Sequence, residues 1–343
     1  MSDRVSDFRS DTLTTPTPQM REAMARAEVG DDVYREDPTV RRLEEMAAAR
    51  FGRGAGLFVP TGTMANQIGI RVFTQPGDEI LAEPTSHIVL FEAGAAGLIS
   101  GVQLRTVPAR AGVFDAAAIE AAIRGEDVHF PRTALVCLEN THNIAGGVVQ
   151  PLAVLDAIRA LTRARGIPIL LDGARLWNAI VAERIDPAEY GKRADLLWFA
   201  LSKGLSCPVG SVLVGDADVI ERCRKVRKQL GGGMRQVGVL AACGIVALES
   251  MVDRLAEDHA RALSIAQAAQ KMPHVQVDVA ATRTNIVMLV LDGLRAQDVV
   301  AKMRTDRVLS TALPGNRVRF VTHREVGDAD VSRAIAALGA ALV

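Results

Sequence analysis

Between about residue 55 and residue 215 the chain alternates short apolar runs with polar turns and helix-length amphipathic segments. This rhythm allows few architectures, because parallel strands need long crossovers that helices normally supply. The runs are Gly56 to Pro60, Glu79 to Ala82, Gln103 to Val107, Ala134 to Leu138, Ile167 to Leu171, Leu196 to Ala200 and Ser211 to Val214. Read as seven strands, they predict an α/β fold: a mainly parallel seven-stranded sheet with helices on both faces. The last two runs are separated by about ten residues with no helical pattern, too few for a parallel crossover, so the seventh strand is expected antiparallel to the sixth.

The helical spacing between strands is clear at Phe114 to Arg124, with Asp115 as N-cap, and at Pro151 to Arg165. Asp216 to Leu230 reads as a charged helix. Gln236 to Leu248 is almost wholly apolar and is expected to be buried, in part against another subunit. Near residue 250 the pattern changes, and the expected division is a large domain over 1–250 and a small α/β domain over 251–343. The second unit opens with an amphipathic stretch from Met251 to Met272. Strands at Ile286 to Val290 and Val318 to Val321 and a last helix from Asp328 follow.

Composition removes several function classes. Forty Lys+Arg balance forty Asp+Glu, which gives no basic footprint for nucleic acid or an anionic membrane. No window holds the roughly 20 apolar residues of a membrane span, and the first residues lack the apolar core of a signal peptide, so a cytoplasmic protein is expected. Cys137, Cys207, Cys223 and Cys243 form no C-x-x-C pair, so they are expected as reduced, buried thiols with no metal site.

In a parallel sheet, ligands gather at the carboxyl ends of the strands. After the first run comes Pro60-Thr61-Gly62-Thr63, whose small residues suit backbone N–H groups that approach an anion at a helix start. Asp172 closes an apolar run and needs a cationic or donor partner, for which Arg175 is one candidate. Lys203 leaves a buried strand end, where desolvation favours the neutral amine that forms Schiff bases. Singly these are an ordinary turn, a structural aspartate and a snorkelling lysine. Together they match pyridoxal 5'-phosphate, which needs donors for its phosphate, an amine for its aldehyde and a carboxylate for its ring nitrogen. His87, after the second strand, could lie against the ring.

Seven segments then carry a resemblance: Asp7 to Thr12, Gly30 to Tyr34, Pro60 to Thr63, Glu139 to Asn143, Leu171 to Arg175, Leu201 to Gly204 and Gly231 to Gln236. Their order and content resemble the L-threonine aldolases of low specificity, pyridoxal-phosphate enzymes of fold type I. The resemblance implies a Schiff base at Lys203, Asp172 on the pyridine nitrogen, Arg175 near the phenolic oxygen and His87 stacked on the ring. It implies Gly62 and Thr63 on the phosphate, with Arg235 reaching in from a neighbouring subunit. Ser10, Arg175 and Arg319 match positions for the substrate carboxylate, His142 one near the β-hydroxyl, and Tyr34 a segment contributed across a dimer interface. His142 and His87 are the candidate bases. The implied reaction is reversible retro-aldol cleavage of a small β-hydroxy amino acid by a homo-oligomer, at least a dimer and in the family usually a tetramer. After His87 the segment Ile88 to Glu92 is more apolar than in many relatives, so tolerance of threonine, allo-threonine and larger β-substituents is expected. A β-eliminating lyase or an aminotransferase on the same scaffold is the rival enzyme reading, and a non-catalytic binding protein the rival from another class.

Overall fold

The computed structural model describes residues 4–343. Seven strands form the large sheet: β1 (Ala55–Val59), β2 (Glu79–Ala82), β3 (Gln103–Thr106), β4 (Thr133–Glu139), β5 (Ile169–Gly173), β6 (Leu196–Ala200) and β7 (Ser211–Gly215). Their spatial order is β1-β7-β6-β5-β4-β2-β3. β2 to β6 run parallel, and β7 is antiparallel to β6, as the short connection requires. β7 is also antiparallel to β1. Two reversals restore the direction, so the carboxyl end of β1 lies at the same sheet edge as those of β2, β4, β5 and β6.

The central strands are buried on both faces, which explains their continuous apolar runs. Alternate residues fall into two cores. Phe58, Leu138, Leu171 and Phe199 join one layer, whereas Leu57, Cys137, Leu170 and Trp198 join the other, beneath the helix Gly62–Phe73. This period of two sets the face on which each strand-end polar group emerges. All four cysteines are buried and unpaired.

Asp115 caps the helix Ala116–Ala122 by accepting from the Ala117 amide. The apolar helix Gly238–Ser250 is buried, but chiefly inside its own chain. It packs against two helices absent from the sequence reading, Pro18–Ala25 and Pro38–Arg50. The charged helix Ala217–Gln229 carries a buried exception, for Arg227 pairs with Asp32 at 2.6 Å.

A second core lies around an antiparallel sheet of Thr311–Leu313, Arg317–Val321, Ile286–Leu291 and Val275–Gln276, covered by the helices Leu255–Ala269, Ala296–Thr305 and Asp328–Ala341. The N-terminal segment belongs to it. Ser6–Asp7 pairs in parallel with Val308–Leu309, and Phe8 sits edge-on to Phe320. Beyond Phe8 the segment crosses to the large sheet, where the Thr14 hydroxyl donates to the Lys203 carbonyl at 2.8 Å. Residues 4–14 thereby connect the second core to the catalytic edge of the first. Among the described residues no helix is long and apolar enough to cross a membrane.

Candidate active site

At the carboxyl edge of the sheet a cavity of about 360 Å³ is lined by Ser10, His87, Asp172, Arg175, Lys203 and Arg319, together with neighbours from the same loops. These six come from both cores and from five separate stretches of sequence. A larger open groove of about 1120 Å³ runs past Arg317 and Met288, but it gathers no comparable set of cations and carboxylates.

Asp172 is the last but one residue of β5 and shares a face with Leu170, so it emerges under the helix Gly62–Phe73. The Asn66 amide on that helix donates to it at 2.8 Å, and the Ala174 N–H donates at 3.0 Å. Glu139 is its direct neighbour on β4. Burial and this second carboxylate push the Asp172 acid up to about 6. Among the described residues no cation is bonded to this carboxylate, and a positively charged ring nitrogen would relieve that cost.

Arg175, one candidate partner from sequence, does not meet it, which leaves Asp172 for a different positive group. Arg175 is clamped by Asp11, with both contacts at 2.8 Å, because the crossing N-terminal segment delivers a buried carboxylate to the guanidinium first. Burial alone would raise the Asp11 acid, but the Arg175 charge and its hydrogen bonds hold it at about 2. The far nitrogen of Arg175 faces Asn143 Oδ1 at 3.3 Å, and Arg319 donates to the same oxygen at 2.9 Å. One amide oxygen thus sits between two guanidinium groups, a pair whose donors suit a carboxylate. Among the described residues Arg319 keeps a buried Nε without a partner, and burial and the Arg175 charge lower its pKa to about 10.

Lys203 stands three residues beyond β6. Burial, reinforced by the Arg175 charge, brings its amine down to about 8, although Asp11, Asp172 and Glu139 oppose the shift. Ser10 lines the cavity and accepts from the Thr12 backbone and hydroxyl. Gly62 and Thr63 open the helix Gly62–Phe73, where the first N–H groups have no intrahelical acceptor. A Cβ on Gly62 would stand 2.6 Å from the Trp198 ring, so the helix start can approach β6 this closely only as glycine.

Five expected residues are not among those that line the cavity: Gly62 and Thr63, which open the helix Gly62–Phe73, and His142, Arg235 and Tyr34. His142 is fully buried, with Nε2 2.9 Å from Glu83 and Nδ1 accepting from the Ala145 amide. Arg235 is exposed and paired with Asp31, and Tyr34 is 73% exposed. Both lie on the chain's surface, away from its own Lys203 cavity.

Other residues of the site were not singled out from sequence. Asp11, Glu139 and Asn143 lie inside the quoted motifs, and their roles emerge only from pairing. Glu139 joins two loops, accepting from the His87 amide at 2.7 Å and the Asn143 amide at 2.9 Å. Asn66 and Glu92 carried no signal beyond being polar positions close to Gly62 and His87.

The arrangement fits pyridoxal 5'-phosphate. A lysine with a lowered pKa and a buried carboxylate share one cavity, a helix start offers free amides, and the Thr141 hydroxyl in the cavity wall has no partner.

Comparison with known proteins decides the family. Residues 7–292 match the model of the β-eliminating lyase family. A low-specificity L-threonine aldolase of Arabidopsis thaliana is 41% identical over 335 residues, which cover 96% of this chain and 94% of the relative. The low specificity L-threonine aldolase of Escherichia coli K12 is 41% identical over 93% of this chain and 94% of its own. The chain belongs to the low-specificity L-threonine aldolase family. A Leishmania major threonine aldolase structure superposes with a TM-score of 0.86, covering 98% of this chain and 99% of that one at 20% identity, and so shares the fold. The broad lyase model alone would leave elimination and aldol cleavage equally open; the relatives that match nearly end to end favour the aldolases.

Proposed function

We infer that this protein is a pyridoxal 5'-phosphate-dependent aldehyde-lyase that cleaves L-threonine and L-allo-threonine reversibly to glycine and acetaldehyde. Related β-hydroxy amino acids give the corresponding aldehydes. The observation that carries this reading is 41% identity to low-specificity L-threonine aldolases over nearly the whole chain, with Lys203 and Asp172 sharing one cavity.

Bound there, the cofactor supplies an electron sink for the Cα–Cβ bond. Lys203 provides the amine that holds it. At about 8, roughly a tenth of these amines are neutral near pH 7, against fewer than about one in a thousand at the ordinary value. Asp172 would hold the pyridine nitrogen, His87 would cover the ring, Arg175 would serve the phenolic oxygen, and Gly62 and Thr63 would take the phosphate. Ser10, Arg175 and Arg319 bind the substrate carboxylate, displacing Asn143 from between the two guanidinium groups. That fixes Cα, so the β-hydroxyl is aimed at an imidazole.

The exposure of Tyr34 and Arg235 supports a shared site, in which each is supplied by a neighbouring subunit. We assign at least a homodimer, assembled as a dimer of dimers, acting in the cytoplasm in threonine breakdown and glycine formation. His142, buried against Glu83, acts from the second layer on the loop that carries Asn143.

The test is a panel of the four threonine stereoisomers and phenylserine, with aldehyde release coupled to alcohol dehydrogenase. The two L-isomers should yield acetaldehyde with no keto acid added. A strict keto-acid requirement would establish an aminotransferase instead.

A further inference from the structure

The imidazole of the cavity is held from behind. His87 has a third of its side-chain surface exposed, and its Nδ1 stands 2.8 Å from Oε1 of Glu92, whose side chain has no exposed surface. That carboxylate is surrounded by donors. Asn66 Nδ2 donates to Oε1 at 2.7 Å, and Gln67 Nε2 donates to Oε2 at 2.7 Å. The Asn66 amide has a defined orientation because Trp198 Nε1, which can only donate, meets its Oδ1 at 2.7 Å. Its nitrogen therefore faces both acids, donating to Glu92 and, at 2.8 Å, to Asp172.

A carboxylate so surrounded acts as an acceptor toward the remaining group, and the proton on this side of the ring belongs to His87 Nδ1. In the neutral imidazole the lone pair then sits on Nε2, which has no partner among the described residues. His142 offers no such nitrogen, since Glu83 and the Ala145 amide engage both of its own.

We propose that Glu92 is a positioning residue that sets the Nδ1–H form of His87 and presents Nε2 as the acceptor of the β-hydroxyl proton. Asn66 ties this pair to Asp172, so that the base and the carboxylate for the ring nitrogen are held as one unit. The assignment rests on the aldolase reading of the site. In the step it serves, the hydroxyl proton moves to Nε2 and the ring becomes an imidazolium with its second N–H on Glu92. The oxygen electron pair becomes the carbonyl of the departing aldehyde, and the Cα–Cβ bonding pair stays with the glycine fragment. The charges that face His87 are Glu92, Asp172 and Lys203, with Glu139 on its backbone amide, so its titration reports the whole set whereas its tautomer reports Glu92.

The experiment combines nitrogen NMR and kinetics. Full-length protein labelled with 15N-histidine, with and without cofactor, is read by long-range proton–nitrogen correlation; only six histidines contribute, and His87→Phe assigns the signal. Neutral His87 should carry its proton on Nδ1. Glu92→Gln should mix the two tautomers and lower kcat about a hundredfold, the range of a lost acid–base contribution, with KM changed far less. Glu92→Asp should recover part of the loss. In a His87→Phe background Glu92→Gln should cost nothing further, because a residue acting through His87 has nothing left to position. An Nε2-protonated His87 in the native chain, which needs no variant to fold, would overturn the proposal. So would an unchanged kcat in Glu92→Gln, or an equal loss in both backgrounds. A native enzyme that releases no aldehyde would defeat the aldolase reading instead, while the tautomer would still decide the role of Glu92.

Discussion

Removing Asp11 tests how the cavity is held open for an anion. Its carboxylate is fully buried, makes two 2.8 Å contacts to Arg175 and accepts from Asn285 at 3.1 Å. The fall of its pKa from 3.8 to about 2 corresponds to about 2 kcal/mol of stability that the folded state gains from ionised Asp11. Truncation costs more, because it leaves a guanidinium buried without its partner; about 3–5 kcal/mol is expected for Asp11→Ala. Asp11→Asn keeps the shape but turns an amide donor toward Arg175, and should lose at least the ionic share. The sign with pH follows from the depressed constant. The stabilisation is complete above about pH 4, the unfolded value, and fades as pH falls towards 2, so native and Asp11→Asn stabilities should converge only over that interval. Urea unfolding at fixed protomer concentration, repeated across pH, measures the difference directly. A gap below about 0.5 kcal/mol at pH 7 would refute the reasoning, for it would mean that Arg175 finds an equal partner without Asp11.

Two further substitutions probe the cofactor assignments. Lys203→Ala should abolish turnover and the borohydride-sensitive visible absorption of the holoenzyme; retention of either would remove Lys203 from its assigned role. Arg235→Ala should weaken cofactor retention, and because the side chain lies outside its own cavity, dilution of the native protein should weaken it too. Retention that is independent of protein concentration down to the monomer would show that no neighbouring subunit takes part.

The seven strands were legible because a sheet buried on both faces demands uninterrupted apolar runs, and those at 196–200 and 79–82 coincide with the observed strands residue for residue. The reversal at β7 was legible from loop length alone. The helices Pro18–Ala25 and Pro38–Arg50 were missed although each begins with proline after a Thr or Asp cap, a start signal placed ahead of the alternating region that drew the reading.

Lys203 and Asp172 could be found because each places a charge at or just beyond the end of an apolar run, which its own stretch of sequence makes costly; His87, five residues beyond β2 and behind Glu83 to Ser86, was found only as a group that follows the second strand. Asp11, Asn66, Glu92 and Asn143 do not act on a ligand first; they act on other side chains, and their partners lie 164, 106, 5 and 176 residues away. No local spacing encodes the three long-range pairs, and the five-residue step from His87 to Glu92 matches neither a helix nor a strand period. Even the adjacency of Glu139 and Asp172, which helps to raise the Asp172 pKa, requires the β4–β5 register, a property of the assembled sheet. The misplaced partner of Arg175 has the same origin: proximity in sequence favoured Asp172, but a strand end points its carboxylate up toward the helix Gly62–Phe73, while Arg175 turns to meet the segment arriving from the second core. What tunes this site is therefore carried by contacts between separate segments, some within the large sheet and its helices and some reaching it from the second core, and substitutions at Asp11 or Glu92 should alter the chemistry of residues they adjoin only after folding.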